Sequence, residues 1–314
     1  MRIDVRQFAA ILKQSDDILL MMHEQPDGDT TGGAYGLWAA LTALGKRCAV
    51  QCLSSIPESF AFITDGIDFE QFIPKLTVAV DVADIKLLGD GYERFKGKID
   101  LCIDHHTSNV DYSDKLLLED KAAACEIVLE VLYELGIKPD KYMATCIYTG
   151  IATDTGCFRY TNTTSGTLRS AADMMDVGID TEMINKLMFE TKTKSFMRLE
   201  KLARETLEMH FDERCALITV TQEMFRKSGS NESECHPITA STRQIEGVLV
   251  GASIKEQKDG GYNISVRTNG SIDASAICRR MGGGGHRNAA GCELTGELCE
   301  VKKILLENIG EALA

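Results

Sequence analysis

The sequence predicts a two-domain α/β protein: an N-terminal domain built on a mostly parallel sheet, a smaller C-terminal mixed α/β domain, and an active-site cleft between them. Three observations predict it. The chain has 314 residues, 44% of them apolar, enough for two cores at the usual domain size of about 100–200 residues. Through residue 190, short β-rich runs alternate with helical patterns, as βα units do. Beyond residue 210, strands separated by glycine turns take over.

Asp4 is placed to cap a helix whose apolar face is Val5, Phe8, Ala9 and Leu12. Ile18 to Met22 then reads as a buried strand, and Gly32 to Leu44 as a helix stopped by Gly45. Further strands are expected at Cys48 to Leu53, Leu76 to Val80 and Ile99 to Ile103, and further helices at Ala122 to Leu135, Lys141 to Ala152 and Ser165 to Val177. Residues 191–210 read as a charge-laced helical linker with Phe196, Leu199, Ala203 and Leu207 on one side. The domains are thus expected at 1–190 and 211–314. In the second, Cys215 to Thr221, Gly247 to Lys255 and Tyr262 to Thr268 read as strands, with a hairpin turn at Asp259-Gly260-Gly261. A helix from Ile272 to Met281 runs into four glycines.

Charge and cysteine usage narrow the function classes. With 34 Lys+Arg against 47 Asp+Glu the net charge is −13, so a broad basic face for long duplex nucleic acid is not expected. The run Ile18 to Met22 is far too short to span a bilayer, and the first residues lack a signal-peptide apolar region, so no membrane partner is expected. Eleven cysteines include no C-x-x-C pair and mostly sit in apolar segments, which places the chain in a reducing cytoplasm. A homodimer is compatible with this composition.

Ligands of open α/β sheets bind beyond the carboxyl ends of the strands, and here those ends carry unusual residues. The first strand runs into His23-Glu24-Gln25-Pro26-Asp27-Gly28-Asp29, where Pro26 and Gly28 impose irregular backbone that lets His23, Asp27 and Asp29 converge. The plainer reading of the two aspartates is as caps of a helix beginning near Thr31. Leu76 to Val80 delivers Asp81, with Asp84 three residues on, and Ile99 to Ile103 delivers Asp104-His105-His106. Gly150 to Gly156 adds Asp154. So many carboxylates packed together would cost several kcal/mol or be forced to protonate without cations. His23, Asp27, Asp29, Asp81, His105 and Asp154 are too many ligands for one catalytic ion and about right for two that share a carboxylate. Imidazole mixed with carboxylate suits Mn²⁺ better than Mg²⁺ or a structural Zn²⁺, and such pairs catalyse phosphate-ester hydrolysis.

The second domain offers Gly282-Gly283-Gly284-Gly285-His286-Arg287. Successive glycines let backbone N–H groups approach an anion, and His286 adds a charge-assisted donor; otherwise the run is a flexible connector after a helix. Arg267, closing a strand, is a candidate for the same phosphate or a solvated surface residue. Phe158, Arg159 and Tyr160 either stack on a base or pack the domain.

His23-x-x-x-Asp27-Gly28-Asp29, Asp81-x-x-Asp84, Asp104-His105-His106 and Gly150 to Gly156 resemble, in order and spacing, the motifs of the DHH phosphoesterases. The glycine run with His286 resembles the signature of the associated C-terminal domain. Size and the segment Asp154 to Tyr160 are most similar to the nanoRNase group, described as bifunctional oligoribonuclease and 3′-phosphoadenosine 5′-phosphate (pAp) phosphatase. The resemblance implies two Mn²⁺ ions, one held by His23, Asp27 and Asp81 and the other by Asp29, Asp81, His105 and Asp154. It implies that Asp104 steers the neighbouring imidazole and that His106 faces the scissile phosphate. Gly283, Gly284, Gly285, His286 and Arg267 would bind the nucleotide. After Asp29 this chain has Thr30, Thr31, Gly32 and Gly33, where the family commonly shows a small apolar residue and a Gly-Ser pair.

The expected substrates are very short oligoribonucleotides and pAp. Linear or cyclic dinucleotide second messengers are the enzymatic alternative, and a catalytically silent nucleotide sensor would be expected to lack a ligand.

Overall fold

The computed structural model describes residues 1–231, 235–258 and 260–314; the side chains of His236 and His286 also lie outside the described set. Asp259 of the expected hairpin turn and the imidazole of His286 therefore fall outside the described residues. The chain divides into two compact units, Met1–Thr191 and Lys192–Ala314.

In the first unit the chain runs α1 (Val5–Gln14), β1 (Ile18–Met21), α2 (Gly28–Ala43), β2 (Cys48–Gln51), a single turn α3 (Ala61–Thr64), β3 (Leu76–Val80), β4 (Leu101–Asp104) and β5 (Lys115–Leu118). Four helices come next: α4 (Ala124–Glu134), α5 (Lys141–Asp154), α6 (Ser165–Asp176) and the short α7 (Thr181–Asn185). Asp4 caps α1 by accepting from the Gln7 amide, and the Gln7 side chain accepts in return from the Asp4 amide. All five strands are parallel, in the order β2-β1-β3-β4-β5. Alternation along each strand splits the side chains between two cores. Leu20, Val78, Val80 and Ile103 meet the helices on one face, while Met21, Ala79 and Cys102 pack with Val82, Leu88, Phe95 and Ile99 on the other. Coverage on both faces is what makes these strands read as continuous apolar runs.

The second unit runs α8 (Lys194–Arg204), β6 (Glu208–His210), β7 (Cys215–Val220), α9 (Gln222–Ser228), α10 (His236–Thr242), β8 (Val250–Glu256), β9 (Tyr262–Thr268), α11 (Ala274–Arg280), β10 (Gly284–His286), β11 (Ala289–Leu294) and α12 (Leu298–Leu313). The helix expected over 191–210 is shorter, because Glu208 to His210 pair antiparallel with β7. The sheet order is β10-β11-β9-β8-β7-β6, with only β7 and β8 parallel. One face buries Val250, Ala252, Ile254, Ile264 and Val266 against Ile277 and Cys278 of α11 and Val301, Leu305 and Ile309 of α12. The other is covered at β7, where Ile218 and Val220 meet Phe196, Phe225 and Ile238. Toward β9 and β11 that same face carries the half-buried Ser265, Arg267, Ala289 and Gly291. No helix among the described residues is long and apolar enough to cross a membrane.

Candidate metal centre

Every candidate ligand of the first unit ends up at the carboxyl ends of β1, β3 and β4 or on the facing helices. Asp27 is the N-cap of α2, its Oδ1 accepting from the amides of Asp29 and Thr30 at 2.9 and 3.1 Å. The helix therefore begins at Gly28, earlier than expected, and Asp29 sits in its first turn instead of in the loop. Capping and ligation are compatible here, since the same Oδ1 lies 3.7 Å from His23 Nε2.

Asp29 is fully buried, and its carboxylate accepts from the amides of Ala124 and Cys125 at 2.6 and 2.9 Å. These are the first orphan donors of α4, whose N-cap residue, Ala123, has no side chain to cap it. A carboxylate 95 residues away in sequence thus caps it.

Asp81 succeeds β3 in the left-handed region, φ 59°. Its Oδ1 lies 3.6 Å from His105 Nε2 and 3.3 Å from His106 Nδ1, and its Oδ2 4.0 Å from His23 Nε2. His105 Nε2 also lies 3.7 Å from Asp29 and 3.3 Å from Asp154, the last residue of α5. The other ring nitrogens are engaged: His105 Nδ1 donates to the Lys121 carbonyl at 3.1 Å, and His23 Nδ1 to that of Glu24 at 2.9 Å. With Nδ1 so engaged, each Nε2 is the ring atom left to face the carboxylates. Asp104 closes β4 and organises the two histidines after it. Its Oδ1 accepts from the amides of His105 and His106 and from His106 Nδ1, and its Oδ2 from Asn109 Nδ2 at 2.6 Å.

Electrostatics single out this cluster. Burial lifts Asp81 to about 7, and burial reinforced by the charges of Asp29 and Asp27 lifts Asp154 to about 8. The Asp29 carboxyl is raised by burial as well. The hydrogen bond to Asp104 and the nearby Asp81 carboxylate raise His106 to about 11. For His23, burial pulls the other way but the contact with Asp27 outweighs it, giving about 9. Asp81 Oδ1 and His105 Nε2 are buried with no hydrogen-bond partner among the described residues, which ordinarily costs about 1–3 kcal/mol per group. Three overlapping sets, His23–Asp27–Asp81, Asp29–His105–Asp154 and Asp81–His105–His106, each keep their ligand atoms within 4.8 Å. Oxygen and nitrogen ligand atoms at that spacing, two of them partnerless, fit divalent cations.

Asn109, the amides of Ala124 and Cys125, and the Lys121 carbonyl were not legible as site parts. The one available signal was a helix start, Ala122-Ala123-Ala124-Cys125, without a capping side chain. Gly150 supports the site through packing. A Cβ there would lie 2.2 Å from Cys125 Sγ and 2.7 Å from Asp29 Oδ1. Gly150→Ala should therefore lower stability by about 1–3 kcal/mol and weaken any divalent-cation binding by displacing Asp29. Thermal melts and a Mn²⁺ titration check this, and unchanged values would show that α5 yields without disturbing Asp29. Past Asp154, Phe158 packs on Tyr148 with centroids 6.0 Å apart, Arg159 Nε donates to the Gly156 carbonyl, and Tyr160 lies over Gly156, half exposed.

Gly283, Gly284, Gly285 and Arg267 belong to the second unit. Two of these glycines answer to packing. A Cβ on Gly283 would sit 2.2 Å from the Gly291 carbonyl oxygen, and one on Gly285, φ 142°, 2.6 Å from Ala290 Cα. The run that read as an open loop is partly the strand β10, paired closely with β11.

Buried imidazoles and carboxylates gathered at the carboxyl ends of a parallel sheet make a candidate metal site of an α/β enzyme. The chain belongs to the DHH family: residues 17–151 match the DHH family N-terminal domain and residues 217–314 the DHHA1 domain. It is 31% identical to the bifunctional oligoribonuclease and PAP phosphatase NrnA of Thermus thermophilus, over 98% of this chain and 94% of that one. It is 25% identical to the cyclic-di-AMP phosphodiesterase GdpP of Geobacillus thermodenitrificans, over 91% of this chain but 46% of that one. The crystal structure of an exopolyphosphatase-related protein from Bacteroides fragilis has the same fold, with a TM-score of 0.89 at 22% identity over 98% of this chain and 95% of that one.

Proposed function

We propose that the protein is a Mn²⁺-dependent phosphoesterase that hydrolyses very short oligoribonucleotides to mononucleotides and dephosphorylates pAp. What carries the reading is a full set of candidate donors in a chain that matches NrnA along nearly its whole length. His23, Asp27 and Asp81 would hold one ion, and Asp29, Asp81, His105 and Asp154 a second. When bound, such a pair supplies Lewis-acid charge that activates water and neutralises phosphoryl oxygens.

The chain's own residues do the rest. His106, with Nδ1 on Asp104, has Nε2 left to face a substrate, and the Asp104 carboxylate favours its protonated form. Such a group stabilises charge on a phosphoryl oxygen or passes its proton to the leaving oxygen. Asn109 and Asp104 keep that ring in place. Gly283 to His286 and Arg267 would bind the nucleotide. Activity on linear or cyclic dinucleotides is a second reading, favoured by the match to GdpP.

One experiment separates the two: parallel assays of pAp, pApA, a short RNA and cyclic di-AMP, with Mn²⁺ and with EDTA. The first reading expects pAp and pApA to be turned over fastest and EDTA to stop the reaction. Fastest turnover of the cyclic dinucleotide would favour the second, and failure on every substrate would end both.

A further inference from the structure

Arg267 is not the lone cation on its face of the C-terminal sheet. It pairs directly with Gly251 on β8 and with Ala289 on β11, and residues directly opposite in antiparallel strands project to the same face. That face is where α10 ends, for a Cβ on Gly251 would lie 2.1 Å from Thr242 Oγ1 and 2.7 Å from the Arg243 amide nitrogen. Asn269, two residues past Arg267, donates its Nδ2 to the Arg243 carbonyl at 2.8 Å and to the Val248 carbonyl at 2.9 Å. Two independent contacts therefore pin the Arg243 backbone beside the strand that carries Arg267, and the neighbours of Arg267 across the sheet are a glycine and an alanine.

Both arginines are half-buried. Neither has a carboxylate partner among the described residues, although the chain carries 47 acidic residues. Among the described residues Arg267 makes a single side-chain bond, Nη1 to the Val266 carbonyl at 3.0 Å, which leaves most of its five donors without a partner there. Its pKa is lowered by burial and, next, by the positive charge of Arg243.

We propose that Arg243 and Arg267 form a twin-guanidinium site for a terminal phosphate monoester, with Arg243 the specificity-determining residue that favours substrates carrying one. Two planar donor forks match the oxygens and the double charge of a monoester better than the single charge of a diester. The simpler alternative is that Arg243 only closes the C-terminus of α10, where a cation is favourable. The proposal takes only its ligand, a short phosphorylated nucleotide, from the functional reading above.

The test uses the whole chain with Arg243→Ala and Arg243→Lys. Arg243→Gln, which keeps the aliphatic stem and a donor, replaces the alanine variant should that one unfold. In EDTA, calorimetric titration with pAp should show binding to wild type that is weakened at least about tenfold in Arg243→Ala and partly restored in Arg243→Lys. With Mn²⁺, Arg243→Ala should raise KM for pApA much more than it lowers kcat, and the preference for pApA over ApA should collapse. Undiminished pAp binding or an intact pApA-to-ApA preference in Arg243→Ala overturns the proposal, as does wild type that binds no pAp. Wild type that binds pAp in EDTA yet hydrolyses neither pAp nor pApA with Mn²⁺ overturns the functional reading and leaves the arginine site standing.

Discussion

Asp81→Asn should lose about 10³-fold or more in turnover with Mn²⁺ while the protein, in EDTA, melts no lower than wild type. The two halves of this expectation have different origins. Among the described residues Asp81 is the one carboxylate within reach of His23, His105 and His106 together, so neutralising it would remove the ligand proposed to be common to both ions. Lewis-acid stabilisation worth several kcal/mol goes with it. Stability goes the other way, because Asp81 is 3% exposed and burial together with the charge of Asp29 holds its carboxyl up at about 7. Asparagine carries no charge to desolvate. It also tolerates the left-handed backbone at φ 59°, which alanine at the same position would strain. Steady-state kinetics, a Mn²⁺ titration and calorimetric melts in EDTA would read the three quantities. Turnover within tenfold of wild type would remove Asp81 from the centre.

The second large effect is a reversal in the pH dependence of stability. Without divalent cations, Asp81 and Asp154 have folded pKa values of about 7 and about 8, well above the unfolded carboxylate value. A group raised on folding contributes stability that is fully present below its unfolded pKa and is lost as pH climbs through the folded one. His23 at about 9 and His106 at about 11 have the same sign in a higher window. The protein in EDTA should therefore lose melting temperature steadily from pH 5 to pH 9. Cations compete with those protons, so binding should release protons and strengthen as pH rises. With saturating Mn²⁺ the melting temperature should hold or rise from pH 5.5 to pH 8. Parallel slopes with and without Mn²⁺ would mean that the ion binds elsewhere.

Much of the first unit was legible because its strands are buried on both faces and read as short apolar runs, each ending on a distinctive polar residue. β1 and β3 lie where the pattern places them. The short strand β5 was hidden, since Lys115 to Leu118 is too brief for a period to show. In the second unit α12 and β11 went unread. The α12 sequence mixes glutamates with apolar residues without an obvious cap, and Ala289 to Leu294 contains small residues whose role is to admit β10. The candidate ligands were visible as residue types at strand ends. Their supports were not, because amides and carbonyls have no signature in a one-letter sequence. Only the fold shows that Lys121 orients His105 through its carbonyl and that Asn109 braces Asp104.

Asp29 illustrates what that distinction costs anyone reading relatives of this chain. Its carboxylate satisfies two buried amides at the start of α4, so an acid is wanted there for architectural reasons whether or not any reaction is run. A descendant that had abandoned hydrolysis would still have reason to retain it, and its persistence is weak testimony to a working enzyme. Asp154, partly exposed and with no side-chain hydrogen bond among the described residues, has no such second employment. Decay of the chemistry in this lineage would be written first at position 154.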